Sequence, residues 1–510
     1  MQSVAESATT LTRERAGTFA AWLDRGIIIA IFLLAAWAPH SIAATQISWG
    51  IGLLLWIVRF FVKPRLELKR TPVDYALLGF FILSTVSSLF SYDPETSIGK
   101  LHAADLFTIV YLIAENIRSR RLVRALAVTL IASCMISVVY TAAERAVGRG
   151  IKLEGVAVES PLSRAGLQEG DTILDVDGRR VSNPGELVSA IASPKGGAEP
   201  ETAQIDLYRH EILPKIKVRR NELLSGPSAL GRVGASDWSR GRDWRASGFY
   251  GHYVTYAEAL QLIASLAVGL FIALRRKRSL NGVLLLAAMG GFCFSLLLTV
   301  TRASLLSFLV SATIIVLVGA SRRTVIILVA CAVPLVLAGL FLLQQKRQVG
   351  FFDPKDDSIT WRETVQREGL HLLVSNPRHL LVGVGMDSIK RYWREWGLFE
   401  GGIPMGHMHS DYLQIALERG IPAFIAWLLL VGVYARMLWR LLRSSKLENW
   451  VDRGIVLGAL GGLVGFMSSG LVHYNWGDSE VVMIFYLIMG LALVIEGEAR
   501  NSNLLKAPLS

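Results

Sequence analysis

The stretch Leu284-Leu-Leu-Ala-Ala-Met-Gly-Gly-Phe-Cys-Phe-Ser-Leu-Leu-Leu-Thr-Val300 carries no charge, and Thr301-Arg302-Ala303-Ser304 follows at once. With its flanks, such a run is long enough to cross the roughly 30 Å hydrocarbon core of a bilayer as a helix. The pattern recurs along the chain: Gly26–Ala36 and Val325–Leu343 also exclude charge. Of the 510 residues, 52% are hydrophobic and only 18% charged, too little charge to cover the surface of a soluble protein of this length. Backbone polar groups in lipid must pair within their own segment, so the spans are read as helices. They are expected near 24–38, 43–61, 72–91, 101–116, 122–142, 252–274, 280–300, 303–320, 323–343, 412–441, 453–472 and 480–496. The span at 101–116 is short and carries Asp105, which predicts a tilted or partly buried segment.

The net charge of +12 is placed as a membrane protein places it. Arg59, Lys63, Arg65, Lys69 and Arg70 lie between two spans; so do Arg118 to Arg124, Arg275 to Arg278, Arg322 and Arg323, and Arg436 to Lys446. With the N-terminus in the cytoplasm, all of these fall inside and the short outer loops keep only Lys100 and Arg302. Both termini are therefore expected in the cytoplasm, and no nucleic-acid partner is expected. Two longer segments, about 147–250 and 344–411, fall outside. Cys134, Cys293 and Cys331 are scattered through apolar runs and make neither a zinc site nor a disulfide framework. The N-terminus is polar to about Arg25 and then enters a helix, so it does not read as a cleavable signal peptide.

Within the first outer segment the composition turns soluble-like. Gly155 to Pro161 reads as a strand ending in a turn, Ser163 to Leu167 as one helical turn, and Gly170 to Gly178 as a strand closing on a tight Asp177-Gly178 turn. Pro184–Ile191 is an amphipathic helix with Pro in its first turn, and Ala203–Tyr208 and Ile212–Val218 read as a closing strand pair. Ser160-Pro161, Ala165-Gly166-Leu167, Gly170-Asp171, Ile173, Val176-Asp177-Gly178, Val181 and Glu186-Leu187 together resemble a bacterial PDZ domain. The resemblance implies a small α+β domain that takes an extended peptide by strand addition. The groove would lie between the Gly150–Val156 segment and the Pro184–Ile191 helix, lined by Gly155, Val156, Leu187 and Ile191, with a peptide or protein as ligand. A structural or docking role for the insert stays equally open.

Three polar clusters border the outer ends of spans: Arg240–His252, Thr301–Ser304, and Gly406-His-Met-His-Ser-Asp-Tyr-Leu-Gln414. Guanidinium groups offer planar, permanently charged forks that match phosphate oxygens. A neutral histidine beside them can take a proton from an acceptor hydroxyl. Together these are the groups that transfer from a lipid diphosphate needs. Each also has a structural role open to it: Arg302 as an interfacial anchor, Asp411 as a helix cap, His407 and His409 as a pair with metal-like spacing but no third ligand cluster.

The order of these clusters resembles the bacterial O-antigen ligase and polymerase superfamily. Arg245-Ala-Ser-Gly-Phe-Tyr-Gly-His252 precedes a helix and Thr301-Arg302-Ala303-Ser304 marks a later helix junction. Trp361-Arg362, Asn376-Pro377 and Gly383-Val-Gly385 lie in the large loop. His407-Met-His409-Ser410-Asp411-Tyr412-Leu413-Gln414 closes it, with Ser410 where Asn is usual, and Gly420-Ile-Pro422 follows. The resemblance implies a mostly α, GT-C-like membrane glycosyltransferase of about twelve transmembrane helices; no cofactor is expected, and no metal is needed if the arginines supply the positive charge. It implies an undecaprenyl-diphosphate-linked glycan as donor. Arg245 and Arg302 would hold the diphosphate, Arg362 would contact substrate, and His409 would act as base with His407 in support.

The acceptor stays open between lipid A–core (a ligase), a further repeat unit of an O-antigen or exopolysaccharide (a polymerase) and a protein hydroxyl (an oligosaccharyltransferase). A non-catalytic transporter or PDZ scaffold is the reading from another class. A zinc intramembrane protease is disfavoured because His210-Glu211 lacks a second histidine. The expected division is 1–146 with the first five spans, 147–222 the periplasmic PDZ-like domain, 223–343 with four further spans, 344–411 the large periplasmic loop, and 412–510 with the last three spans and a cytoplasmic tail. The expected location is the bacterial inner membrane.

Overall fold

The computed structural model describes every residue except Met1, 65–67, 195, 197, 210–212, 243, 327–356, 400–405, 445–446 and 505–510. The chain is mostly helical, with one small β-sheet, and divides into two compact units. One comprises Met1–Met135, Val254–Leu296 and Thr301–Ser510; the other comprises Ile136–Tyr253 and Leu297–Val300.

Among the described residues, 9 helices are long and apolar enough to cross a membrane: Gly17–Trp37, Ile42–Phe61, Arg120–Val147, Tyr253–Ala273, Leu280–Leu298, Arg302–Gly319, Asp411–Arg443, Trp450–Ser469 and Ser479–Asn501. The span expected at 72–91 is a shorter apolar helix, Asp74–Leu89. The one expected at 101–116 is broken into Leu101–Ala104, a 3-10 turn Asp105–Phe107 and Thr108–Asn116. The span at 323–343 falls almost wholly outside the described residues.

Helices Tyr253–Ala273, Trp450–Ser469 and Ser479–Leu504 are buried nearly all round and form the centre of the first unit. Leu280–Leu298 instead exposes Leu280, Val283, Leu284, Leu286 and Leu297, as a face turned to lipid does. In hydrocarbon, helices gain little from hiding apolar surface and pack by close approach of small residues. Trp450–Ser469 follows this rule on two faces. Gly454 and Gly458 let it touch the backbone of Leu266 and Leu270, while Gly461 and Gly465 lie against Ile315, Ser311 and Ser307 on helix Arg302–Gly319. Between those neighbours, Ser265 Oγ and Ser311 Oγ hydrogen-bond at 2.6 Å.

Helix Asp411–Arg443 is broken at Gly420 (φ 81°, ψ 165°), two residues before Pro422. Proline has no N–H, so the Glu418 carbonyl loses its partner in the helix. That carbonyl accepts from the Gly385 N–H and the Ser87 hydroxyl instead, both at 2.9 Å, and the Leu417 carbonyl accepts from the Val384 N–H at 2.9 Å. Gly383 (φ +74°) and Gly420 make this seam possible, because a Cβ on Gly383 would strike the backbone of Glu418 and one on Gly420 the backbone of Leu381.

In the second unit, β1 (Ile151–Glu154), β2 (Thr172–Val176), β3 (Arg179–Arg180), β4 (Thr202–Tyr208), β5 (Lys215–Arg219) and β6 (Asp237–Arg240) form one antiparallel sheet of order β5-β4-β2-β1-β6, with β3 paired to β2. The Asp177-Gly178 turn has positive φ at both residues, 51° and 68°, as a two-residue hairpin of this hand requires. Helix Pro184–Ala192 begins at Asn183, whose side chain accepts the Glu186 N–H at 2.9 Å. The sequence reading ends this domain's secondary structure near residue 222; the sheet takes the further strand β6.

Replacing Gly383 by Ala is expected to cost about 2–4 kcal/mol, from left-handed strain and overpacking combined. A Cβ on Gly432, in the same long helix, meets open space. Thermal unfolding in detergent should therefore show a lowered midpoint for Gly383→Ala and none for Gly432→Ala.

Candidate active site

The loop ahead of helix Asp411–Arg443 is held by Met408, which is fully buried with Val365, Phe399 and Leu417, and whose N–H donates to Gln414 Oε1 at 2.7 Å. The histidines flank this anchor. Their rings meet edge to face at 4.4 Å between centroids, and the His409 N–H donates to His407 Nδ1 at 3.3 Å. An acceptor at Nδ1 leaves the proton of a neutral His407 on Nε2. His409 itself sits at φ 50°, a sparsely populated conformation for a residue with a Cβ and one that tends to accompany function. Its carbonyl accepts from Gln366 Nε2 at 3.3 Å, and its own Nε2 is buried without a hydrogen-bond partner among the described residues.

The helix is capped by Ser410, whose hydroxyl accepts the Leu413 N–H at 3.4 Å. Serine thus does the capping that asparagine can do at this position. Asp411, considered as the cap from sequence, is the first helical residue and fully buried. Its backbone N–H donates to the Gly470 carbonyl at 2.8 Å and its carboxylate accepts the Trp476 N–H at 2.9 Å. These bonds tie the histidine loop to the Gly470–Asp478 connection between the last two spans.

That connection brings in residues the sequence reading passed over. His473 Nδ1 lies 2.8 Å from Glu258 Oε1, both side chains buried, and the Ser469 hydroxyl donates to the same oxygen at 3.2 Å. A carboxylate on Nδ1 holds the imidazole in one tautomer and orientation. The Tyr474 hydroxyl donates to Glu418 Oε2 at 3.1 Å, and the other Glu418 oxygen accepts the Asp387 N–H at 3.0 Å. Burial, and then the Glu418 charge, pushes the Tyr474 phenol above its usual range. The one available signal was Glu258 itself, a carboxylate within an apolar span.

His407, His409 and Arg362 belong together: Arg362, on helix Asp357–Val374, is one of the charges that disfavour protonation of His409. Arg302 is the first residue of helix Arg302–Gly319, half-buried. Arg245 lies in the second unit, where Nε donates to the Thr299 carbonyl at 3.0 Å and Nη2 to the Val300 carbonyl at 2.7 Å, with the guanidinium 3.7 Å over the Tyr253 ring. Val300 has φ 53°, an outlier for a β-branched residue. Leu187 and Ile191 are fully buried in the core of the sheet domain, Val156 packs against that core, and Gly155 follows β1 at φ +60°.

Burial above all, then the His407, Arg362 and His473 charges, lowers the His409 pKa to about 3. The imidazole is thus neutral at ordinary pH, with a ring nitrogen that can accept a hydrogen bond.

Residues 287–428 match the family described as O-antigen ligase, and residues 153–199 match the PDZ domain family. The first match runs from helix Leu280–Leu298 through Arg302, Arg362 and both histidines to Leu428. The fold and these matches define a multi-pass membrane protein that carries an O-antigen ligase region and a PDZ domain. Among curated proteins, the chain is similar to the magnetosome formation protease MamE of Magnetospirillum gryphiswaldense, 36% identical over 83 residues, which is 16% of this chain and 10% of that protein. It is also similar to the MamE of Paramagnetospirillum magneticum, 34% identical over 84 residues, again 16% and 10%. The chain spans about a tenth of the length of these curated relatives.

An unfolded histidine titrates near 6.5, so below that pH the unfolded chain takes up a proton that folded His409 refuses. The stability held by neutral His409 is complete above about pH 6.5 and is lost as pH falls toward 3. Unfolding measured between pH 7.5 and 5 should decline more steeply in wild type than in His409→Asn, by about one proton in slope.

Proposed function

We propose that this protein is a periplasm-facing glycosyltransferase that moves a glycan from undecaprenyl diphosphate to an acceptor hydroxyl. The observation that carries the reading is His409: a neutral imidazole on a strained backbone, with a buried and unpartnered Nε2, inside the O-antigen ligase region. In this reading the acceptor oxygen attacks the anomeric carbon as its proton passes to His409 Nε2. The bond from that carbon to the diphosphate breaks, and the diphosphate leaves with the electron pair. Charge builds on the leaving phosphate, where Arg302, Arg245 and Arg362 would stabilise it. Val300, whose carbonyl Arg245 grips, stands two residues before Arg302 in the chain. His407 would orient His409, and the Glu258–His473 pair would keep a second imidazole in a defined tautomer beside it.

The distribution of Lys and Arg supports cytoplasmic termini in the inner membrane, with the histidine loop and the PDZ domain on the periplasmic side. Lipid A–core is the acceptor we favour; a growing glycan and a protein hydroxyl are the alternatives.

The test is transfer by the purified protein from an undecaprenyl-diphosphate glycan, offered lipid A–core, a second lipid-linked repeat unit, or a serine-rich peptide. Transfer should occur to one acceptor. His409→Ala should lower turnover about 10²–10⁴-fold, and Arg302→Ala should weaken donor use in a way Arg302→Lys only partly restores. Wild-type turnover in a folded His409→Ala protein would end the proposal.

A further inference from the structure

A PDZ domain receives its ligand as an extra antiparallel strand, laid between one edge strand and one helix. The matching edge in this protein is β1 and the matching helix is Pro184–Ala192. That edge is already covered, end to end, by the chain's own residues 234–241. Ile151, Lys152, Leu153 and Glu154 stand opposite Arg240, Ser239, Trp238 and Asp237. The pairing runs on past both ends of the strand: the Arg149 N–H donates to the Gly241 carbonyl at 2.7 Å, the Ser236 N–H to the Glu154 carbonyl at 3.1 Å, and the Ala157 N–H to the Gly234 carbonyl at 2.8 Å.

Side chains complete the occupation. Val233 is fully buried in the domain core with Leu187 and Ile191, and Leu230, Ala235 and Trp238 pack against that core. The short helix Ala229–Val233 lies on helix Pro184–Ala192. Gly155 has no Cβ where one would strike the Ser236 side chain, so the slot is shaped to this occupant.

We infer that residues 229–241 are the resident ligand of the PDZ slot, so that the domain clamps its own chain rather than presenting an open docking site. The clamped strand ends five residues before Arg245. In between, Trp244 is buried, with the Arg145 and Arg149 guanidiniums 5.9 and 5.8 Å from its ring. The domain therefore positions the segment that delivers Arg245 to the Thr299 and Val300 carbonyls. A tethered occupant acts at an effective concentration on the order of millimolar, so an extended peptide in solution competes only if it binds more tightly than that.

The inference is independent of the transfer chemistry, and its test uses no activity. In the full-length protein in detergent, a labelled synthetic peptide of residues 229–242 should not bind, and the amides of 151–154 should exchange slowly with deuterium. Ser239→Pro removes one strand N–H and fixes φ. It should speed exchange at 151–154 by tenfold or more and let the labelled peptide bind. Equal peptide binding by wild type and variant, or fast exchange at 151–154 in wild type, would overturn it. As a check that needs no loss of folding, Lys152→Cys paired with Ser239→Cys should give a 152–239 disulfide under mild oxidation, found by peptide mapping. Two accessible thiols that never join would equally overturn it.

Discussion

The seam between Val384–Gly385 and Leu417–Glu418 is the contact on which the candidate site rests. A proline two residues past Gly420 strips the helix of a hydrogen bond at Glu418, a buried residue whose carbonyl needs another donor. Backbone N–H groups from the preceding loop fill the gap, helped by the Ser87 hydroxyl. This binds the large loop to the broken helix along its main chain, with glycine where side chains would keep the two apart. The first turns of that helix, and the histidines ahead of it, are placed by this arrangement together with their own contacts to Gln366, Gly470 and Trp476.

Buried charge is concentrated around the same place. Glu258, Asp411, Glu418, Arg419 and His473 are all nearly inaccessible. Most have partners: His473 for Glu258, backbone N–H groups for Asp411 and Glu418, and the Phe80 ring beneath the Arg419 guanidinium at 5.1 Å. Polar groups inside an apolar bundle are costly and are kept where they do something. His409 is kept neutral by burial first and then by the His407, Arg362 and His473 charges; His409 Nε2 and Asp411 Oδ2 are among the buried polar atoms that lack partners among the described residues.

In the second unit the sheet answers a different problem. An exposed edge strand is a template for any extended chain, and here the edge of β1 is satisfied internally. The same pairing that closes the edge leads the chain toward Arg245, so one set of backbone hydrogen bonds both completes a small domain and aligns the segment that carries Arg245. A binding fold is thereby turned into a structural one without loss of its strand geometry.

Lipid forces spans into charge-free runs of fixed length, and the positive φ of a two-residue turn favours Asp-Gly, so the helical class, most span positions, β2, β4, β5 and the helix at Pro184 were legible from the amino acids alone. The motif at 407–414 was legible for a similar reason, since its residues are contiguous and chemically distinctive. Other features needed the tertiary structure. β6 is Asp-Trp-Ser-Arg, with no alternation to mark it, and becomes a strand only because β1 offers an edge. Glu258 and His473 are 215 positions apart, and nothing local to either predicts the other. The neutrality of His409 arises from burial and from charges on other segments. Periodicity and composition record what each segment prefers by itself, whereas an edge, an ion pair and a shifted pKa exist only between segments.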